Sequence, residues 1–252
     1  MNKIVALCSG GFDSIVLLHK IREDFPDSEI HTLFFDYGQK SKEQEYECVV
    51  KNSEKLNCIP HRIGLPVFYW TKGQFYSPEF SGSGEYLEMR NLVLLSYALS
   101  WCESLEANYL YMATLKSLGY YDTSEDFLCN IRSIAKDKGV EFITPFSEIN
   151  KIQLSYLAYK YHIGINDFFT CDNPVDSKPC GECPDCLEIK KILQYRPLPV
   201  ERFLETGDLK DPEFHKRFRE SHIQEIRLYT NHKCRIKLYQ CQKVRAISRA
   251  YR

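Results

Sequence analysis

The sequence predicts an α/β fold: a parallel sheet with helices on both faces, then a small cysteine-rich segment and a basic C-terminal extension. Three observations carry this. Short apolar runs alternate with helical patterns as far as residue 161, the mark of strands joined by crossover helices. The first of those runs ends in a glycine pair that opens a helix. Four cysteines then crowd into residues 171–186, where the alternation has stopped.

Taken in order, Ile4-Val5-Ala6-Leu7 is an apolar run typical of a buried parallel strand, ending at Ser9-Gly10-Gly11. Ile15, Leu17, Leu18 and Ile21 follow helical spacing from Asp13 to Ile21. Ile30 to Phe35 reads as a second strand, closed by Asp36-Tyr37-Gly38. Ser41 to Leu56 is charged and helical, with Val49 and Val50 facing inward, and Ile63 marks a weak third strand. Phe68 to Glu85 is aromatic and rich in Gly and Ser, a long loop of the functional kind. Arg90 to Leu105 is a strong helix with Leu92, Leu95, Leu99 and Cys102 on its apolar side. A strand at Tyr109–Met112, a helix at Phe127–Ala135, a strand at Phe142–Thr144 and a helix at Lys151–Tyr161 follow. A short helix from Cys186 to Leu193 and the stiff connector Arg196-Pro197-Leu198-Pro199 complete the pattern. The expected division is 1–167 for the α/β domain, 168–195 for the metal-binding segment and 196–252 for the extension.

Composition bounds the function. With 252 residues, 44% hydrophobic and 27% charged, the chain is neither disordered nor fibrous. No apolar run approaches the roughly 18 residues of a membrane span, so no membrane role is expected. The N-terminus lacks the pattern of a secretory signal, and an odd count of eleven cysteines in a chain well above the usual size of a disulfide scaffold argues against paired cysteines. The expectation is a reducing, cytoplasmic setting. The net charge of −1 conceals a division: residues 212–252 hold eleven Lys/Arg and three Asp/Glu, a net of +8, leaving −9 for the rest.

Ser9-Gly10-Gly11-Phe12-Asp13-Ser14 is an anion cradle. The glycines let backbone N–H groups approach a ligand, the helix N-terminus adds partial positive charge, and Ser9 and Ser14 add hydroxyls. It lacks the Gly-Lys-Ser/Thr ending of the ordinary nucleoside-triphosphate loop. A carboxylate at Asp13 beside bound phosphates calls for a cation between them, so Mg²⁺ is expected there. Cys171-x8-Cys180-x2-Cys183-x2-Cys186 offers four thiolates, a set suited to a closed, structural Zn²⁺ site, with an iron–sulfur cluster as the competing reading. Cys8, Cys48, Cys58, Cys102, Cys129, Cys234 and Cys241 read as small core residues.

SGGFDS resembles the pyrophosphate loop of the N-type ATP pyrophosphatases, the PP-loop superfamily, which cleave ATP between the α and β phosphates and attach AMP to a substrate oxygen. Loop and cysteines together, in this order, resemble the 7-cyano-7-deazaguanine synthases, the QueC family, over roughly residues 3–195. Phe35-Asp36-Tyr37-Gly38-Gln39, Arg90-Asn91, Gly119-Tyr120-Tyr121-Asp122, Thr144-Pro145-Phe146 with Lys151, and Pro179-Cys180-Gly181-Glu182-Cys183 carry the rest of the likeness. There are departures. Lys40-Ser41 stand where the family has Arg-His, and Glu88-Met89 where a proline precedes Arg-Asn. Ala113-Thr114-Leu115-Lys116 replace polar residues, and Phe169-Thr170-Cys171-Asp172 replaces Trp-Ser-Cys-Tyr.

The resemblance implies a Rossmann-like fold of the adenine nucleotide α-hydrolase type and an ATP-dependent C–N ligase. ATP would lie on Ser9, Gly10, Gly11 and Ser14, with Mg²⁺ near Asp13 and Zn²⁺ on the four cysteines. The carboxylate of 7-carboxy-7-deazaguanine would attack the α-phosphate. Ammonia would then give the amide, and a second ATP the nitrile, within queuosine biosynthesis. Arg90 and Lys151 are the expected cationic groups; without the resemblance each reads as the cationic half of a surface ion pair. Asp122 would bind metal or the base's amino group, or serve only its turn, and Tyr37 and Gln39 would meet a base or cap their turn. Two alternatives stay open: a specialised relative, of the kind found in bacterial antiviral defence, passing the acyl group to an amine of a protein partner; and a tRNA-modifying PP-loop ATPase. The basic extension suits RNA, an acidic protein or a second subunit, and a homodimer is expected.

Overall fold

The computed structural model describes residues 2–65, 89–115 and 120–195, which fall within a compact unit spanning Met1–Pro197. The loop expected at 68–85, Gly119, and the extension 196–252 lie outside the described residues.

β1 (Lys3–Leu7) pairs in parallel with β2 (Glu29–Asp36) on one side and with β4 (Tyr109–Tyr111) on the other. β3 (Ile59–Gly64) and β5 (Glu141–Ile143) are the two edges, giving the order β3-β2-β1-β4-β5. The register sets Ile4 beside both Ile30 and Tyr109. Parallel neighbours cannot be joined by tight turns, so helices carry the chain back. These are α1 (Phe12–Asp24), α2 (Lys42–Lys55), α3 (Arg90–Leu105) and α4 (Glu125–Asp137). α5 (Lys151–Lys160) and α6 (Pro184–Tyr195) follow the sheet.

Alternation along the strands builds two cores. Ile4, Ala6, Ile30 and Phe34 face α1, α5 and α6, while Val5, Leu33, Phe35 and Leu110 face α3 and α4. The central strands are apolar on both sides and therefore read clearly from sequence. β3 is longer than the single Ile63 that marked it. As an edge strand it has no fully buried residue, so its pattern is diluted. The expected helices occur with ends shifted by a few residues, and Pro184 takes the first helical position of α6, where a missing N–H costs nothing. A 3-10 turn at Tyr121–Thr123 was not expected.

Two features position the site. First, the chain runs from β1 to β2 on one side and returns beside β1 through β4, so the direction of winding reverses at β1–β4. A crevice opens there at the carboxyl ends of the strands. Second, the cysteine-rich segment packs on the sheet domain. Phe168, Ile189 and Ile192 join the core around α1, and the Phe168 ring meets the Phe12 ring edge-on at 5.1 Å. Just before it, Asp167 is fastened to α2: its carbonyl accepts from Asn52 Nδ2 at 2.7 Å and its carboxylate pairs with Lys51 at 2.9 Å.

Candidate active site

The loop after β1 turns on Gly10, whose φ of +77° lies in the left-handed region open to glycine. A Cβ built there would stand 2.1 Å from the Glu45 carbonyl oxygen of α2, so no other residue fits without moving a helix. Beyond it, Ser14 Oγ donates to the Gly11 carbonyl at 2.9 Å, and Ser9 Oγ accepts the Gly11 N–H and meets Ser14 Oγ, both at 3.3 Å. No side chain caps the N-terminus of α1, so its first amides and the dipole behind them are presented to the crevice.

The crevice is a cleft of about 320 Å³. Of the sequence-derived site residues, it is lined by Ser9, Gly11, Asp13, Ser14, Tyr37, Gln39, Arg90 and Lys151. Asp13 Oδ1 is buried and has no hydrogen-bond partner among the described residues, while Oδ2 lies 3.8 Å from Lys151 Nζ. Burial pushes the Asp13 carboxyl up to about 6, against the pull of Lys151. An unpartnered buried oxygen beside an anion cradle has the donor chemistry a hard cation needs. Lys151 begins α5 behind a complete capping box formed by Asn150 and Gln153. Its ammonium donates to Glu188 Oε2 at 2.7 Å. Burial opposes the Lys151 charge, but Asp13 and Glu188 hold its pKa above the ordinary lysine range.

Arg90 begins α3. Its Nη1 donates to the Tyr37 hydroxyl at 3.2 Å, and the guanidinium carbon lies 5.7 Å from the Tyr37 ring centroid. Tyr37 first, against burial, raises the Arg90 pKa, and burial raises that of Tyr37. Gln39 serves its turn: it accepts the Tyr37 N–H and donates to the Phe35 carbonyl and to Glu45 Oε2, each at 3.0 Å. Asp122 is not among the cleft-lining residues. It is buried and accepts the Asn91 N–H at 3.0 Å, serving the start of α3.

The four cysteines come together. Their sulfurs lie within 4.8 Å of one another, compatible with the roughly 3.8 Å edge of a tetrahedron of Zn–S bonds. The turn between them uses Gly181 at φ +79°, and backbone N–H groups of Cys180 and Cys183 point at the sulfurs of Cys171 and Cys180, at 3.2 and 3.3 Å. Four soft donors aided by N–H groups fit a thiophilic metal and leave no protein position open for chemistry. Of the other cysteines, Cys8, Cys58 and Cys102 are buried and Cys48 and Cys129 half-buried, while Cys234 and Cys241 lie outside the described residues.

A family model described as "Queuosine biosynthesis protein QueC" matches residues 3–74 and 77–195. The chain belongs to the QueC family. Among the relatives of this QueC-family chain is a "7-cyano-7-deazaguanine synthase 1" from Desulfitobacterium hafniense (strain Y51). It is 30% identical over 210 residues, covering 77% of this chain and 92% of that protein. The 7-cyano-7-deazaguanine synthase of Leptospira interrogans (strain Fiocruz L1-130) is 29% identical over 214 residues, 77% of this chain and 87% of that one. That of Methanospirillum hungatei JF-1 is 29% identical over 219 residues, covering 78% and 99%. The match to the family ends at residue 195, before the basic extension.

In this QueC-family chain, four of the departures noted in the sequence, Ala113, Phe169, Thr170 and Asp172, line the cleft. Lys40 Nζ donates to Asn173 Oδ1 at 3.0 Å, and Ser41 Oγ to Glu45 Oε1 at 2.7 Å. Asp172 lines the cleft and shares a hydrogen bond with Asp185. Glu45, Asp172 and Asp185 were missed by sequence reasoning. Burial raises all three carboxyls, that of Glu45 to about 7. Asp185 had a usable signal, its place between Cys183 and Cys186, whereas Glu45 had none among the acidic residues of α2.

Proposed function

We propose that this QueC-family chain is an ATP-dependent ligase. It adenylates the carboxylate of 7-carboxy-7-deazaguanine and joins the acyl group to a nitrogen nucleophile, giving an amide; with ammonia, a second ATP adenylates the amide oxygen, and loss of AMP and the two N–H protons leaves the nitrile 7-cyano-7-deazaguanine. The observation that carries this reading is that the phosphate loop opens into the same cleft as Arg90 and Lys151.

In this reading Ser9, Gly10, Gly11 and Ser14 hold the β- and γ-phosphates of ATP. Asp13 would hold Mg²⁺, which would supply positive charge against the phosphates of ATP. Arg90 clamps the acid's carboxylate, for which its planar fork is suited. The carboxylate oxygen attacks the α-phosphorus, the bond to the bridging oxygen breaks, and pyrophosphate leaves. Lys151 lies next to Asp13 and stabilises charge growing on the α-phosphate. The nitrogen lone pair then attacks the acyl carbon, AMP leaves and the nitrogen loses a proton. The four cysteines hold Zn²⁺ in a structural role.

A second reading changes only the acceptor: an amine of another molecule, a protein included, replaces ammonia. The departures Ala113, Thr170 and Asp172, which line the cleft, favour it. Incubation with ATP, 7-carboxy-7-deazaguanine and ammonium, followed by mass spectrometry, separates the readings. AMP with nitrile supports the first. AMP without nitrile supports the second, and no AMP refutes adenylation.

A further inference from the structure

We propose that the metal held by Cys171, Cys180, Cys183 and Cys186 locks the phosphate loop into its nucleotide-binding shape, acting through the backbone of Phe169. The inference rests on the nucleotide reading of the loop, and its test tells the two apart.

The Phe169 N–H donates to the Gly10 carbonyl at 2.9 Å. Gly10 is the residue on which the loop turns, and its carbonyl direction sets where the following amides point. The Phe169 carbonyl and the Thr170 methyl also close one side of Gly11, standing 3.8 and 3.7 Å from where a Cβ would be. This short segment is pinned at both ends by different means. At Asp167 it is fastened to α2 by Asn52 and Lys51, which needs no metal. Among the described residues, its other end, Cys171, is gathered with the other three sulfurs. Metal–thiolate bonds supply folding free energy at such a site, so the hold on that end depends on the metal. A second thread runs from the cluster to the loop. Cys186 lies in the first turn of α6, Glu188 on the same helix binds Lys151 at 2.7 Å, and Lys151 faces Asp13 at 3.8 Å. Metal binding and loop geometry therefore share one set of contacts, and coupling of this kind is reciprocal.

The test uses the full-length, zinc-loaded protein. Phe169→Pro removes the N–H and the ring; Phe169→Ala removes the ring alone. Zinc content is measured by metal analysis and MgATP affinity by titration calorimetry. With zinc content equal to wild type, the Pro variant is expected to bind MgATP at least ~10-fold more weakly, and the Ala variant to stay within ~3-fold. Hydrogen exchange of the wild type, zinc-loaded against chelator-stripped, gives a second reading. The amides of residues 9–14 are expected to exchange faster on stripping, while those of β2 stay protected. Unchanged affinity in a zinc-loaded Pro variant, or equal loss in the Ala variant, overturns the proposal. If the Pro variant fails to hold zinc, hydrogen exchange decides: uniform or absent change on stripping overturns it. Zinc-loaded wild type that binds no MgATP refutes the nucleotide reading, and this proposal with it.

Discussion

Replacing Gly10 by alanine tests the loop at its tightest point. The added Cβ meets the Glu45 carbonyl oxygen at 2.1 Å, where an ordinary contact begins near 3.4 Å, so the loop and the start of α2 must separate by more than an ångström. The φ of +77° adds the left-handed penalty of an L-residue, about 1 kcal/mol. Forcing apart a packed contact adds about 1–3 kcal/mol. The expected destabilisation is therefore about 2–4 kcal/mol, and at ~2–4 °C per kcal/mol the melting temperature falls by roughly 5–15 °C. Gly11→Ala is the control. Its Cβ would meet Ser9 Oγ at 3.3 Å with an ordinary φ of −76°, so the cost is limited to the weaker N-cap, below ~1 kcal/mol. Urea unfolding and calorimetric titration with MgATP measure both. A Gly10→Ala protein as stable as wild type, or less destabilised than Gly11→Ala, would refute the reasoning.

Other consequences can be checked in the same preparations. Because burial raises the Asp13 carboxyl to about 6, MgATP affinity should be flat above pH 7 and fall as pH drops through 6. Asp13→Asn should bind weakly without that pH step. The sign for stability is opposite: a carboxyl raised above its ordinary 3.8 penalises the folded state as pH rises from 3.8 to 6. Asp13→Asn should therefore stabilise the ligand-free protein by ~1–3 kcal/mol at pH 7 and hardly at pH 4; an equal effect at both contradicts the assignment. Lys151→Met should lower the turnover of AMP formation by ~100-fold or more, with little change in KM for the acid, if it acts on the developing charge. Arg90→Lys keeps the charge but loses the bidentate fork and should raise KM for the acid at least ~10-fold; an unchanged KM removes Arg90 from carboxylate binding.

The residues that could be read in advance are those whose signal is local. β1 and β2 are apolar on both faces, and the loop glycines and the cysteine spacing each carry their chemistry in a few adjacent positions. What could not be read depends on distant packing. Glu45 is one of several acidic residues on α2, and only the approach of Gly10 shows that it borders the cleft. Asp13 and Asp122 are both site candidates in the sequence, Asp122 with a turn role as its alternative; Asp122 serves the start of α3, while Asp13 lines the cleft with an unpartnered oxygen. Gln39, read as meeting a base or capping its turn, spends its amide on the turn and on Glu45.

The contact between Gly10 and Phe169 joins the first turn of the fold to nearly the last described strand of chain. During synthesis the loop emerges first and the residue that fixes it emerges about 160 positions later, after every strand of the sheet. Long-range closures of this kind form late, because the chain entropy of the intervening loop must be overcome before the contact is made. The sheet can thus be complete while the nucleotide site is not. A chain cut short before Phe168 would keep its strands and its glycine turn but lack both the Phe169 contact on that turn and the core side chains of Phe168, Ile189 and Ile192.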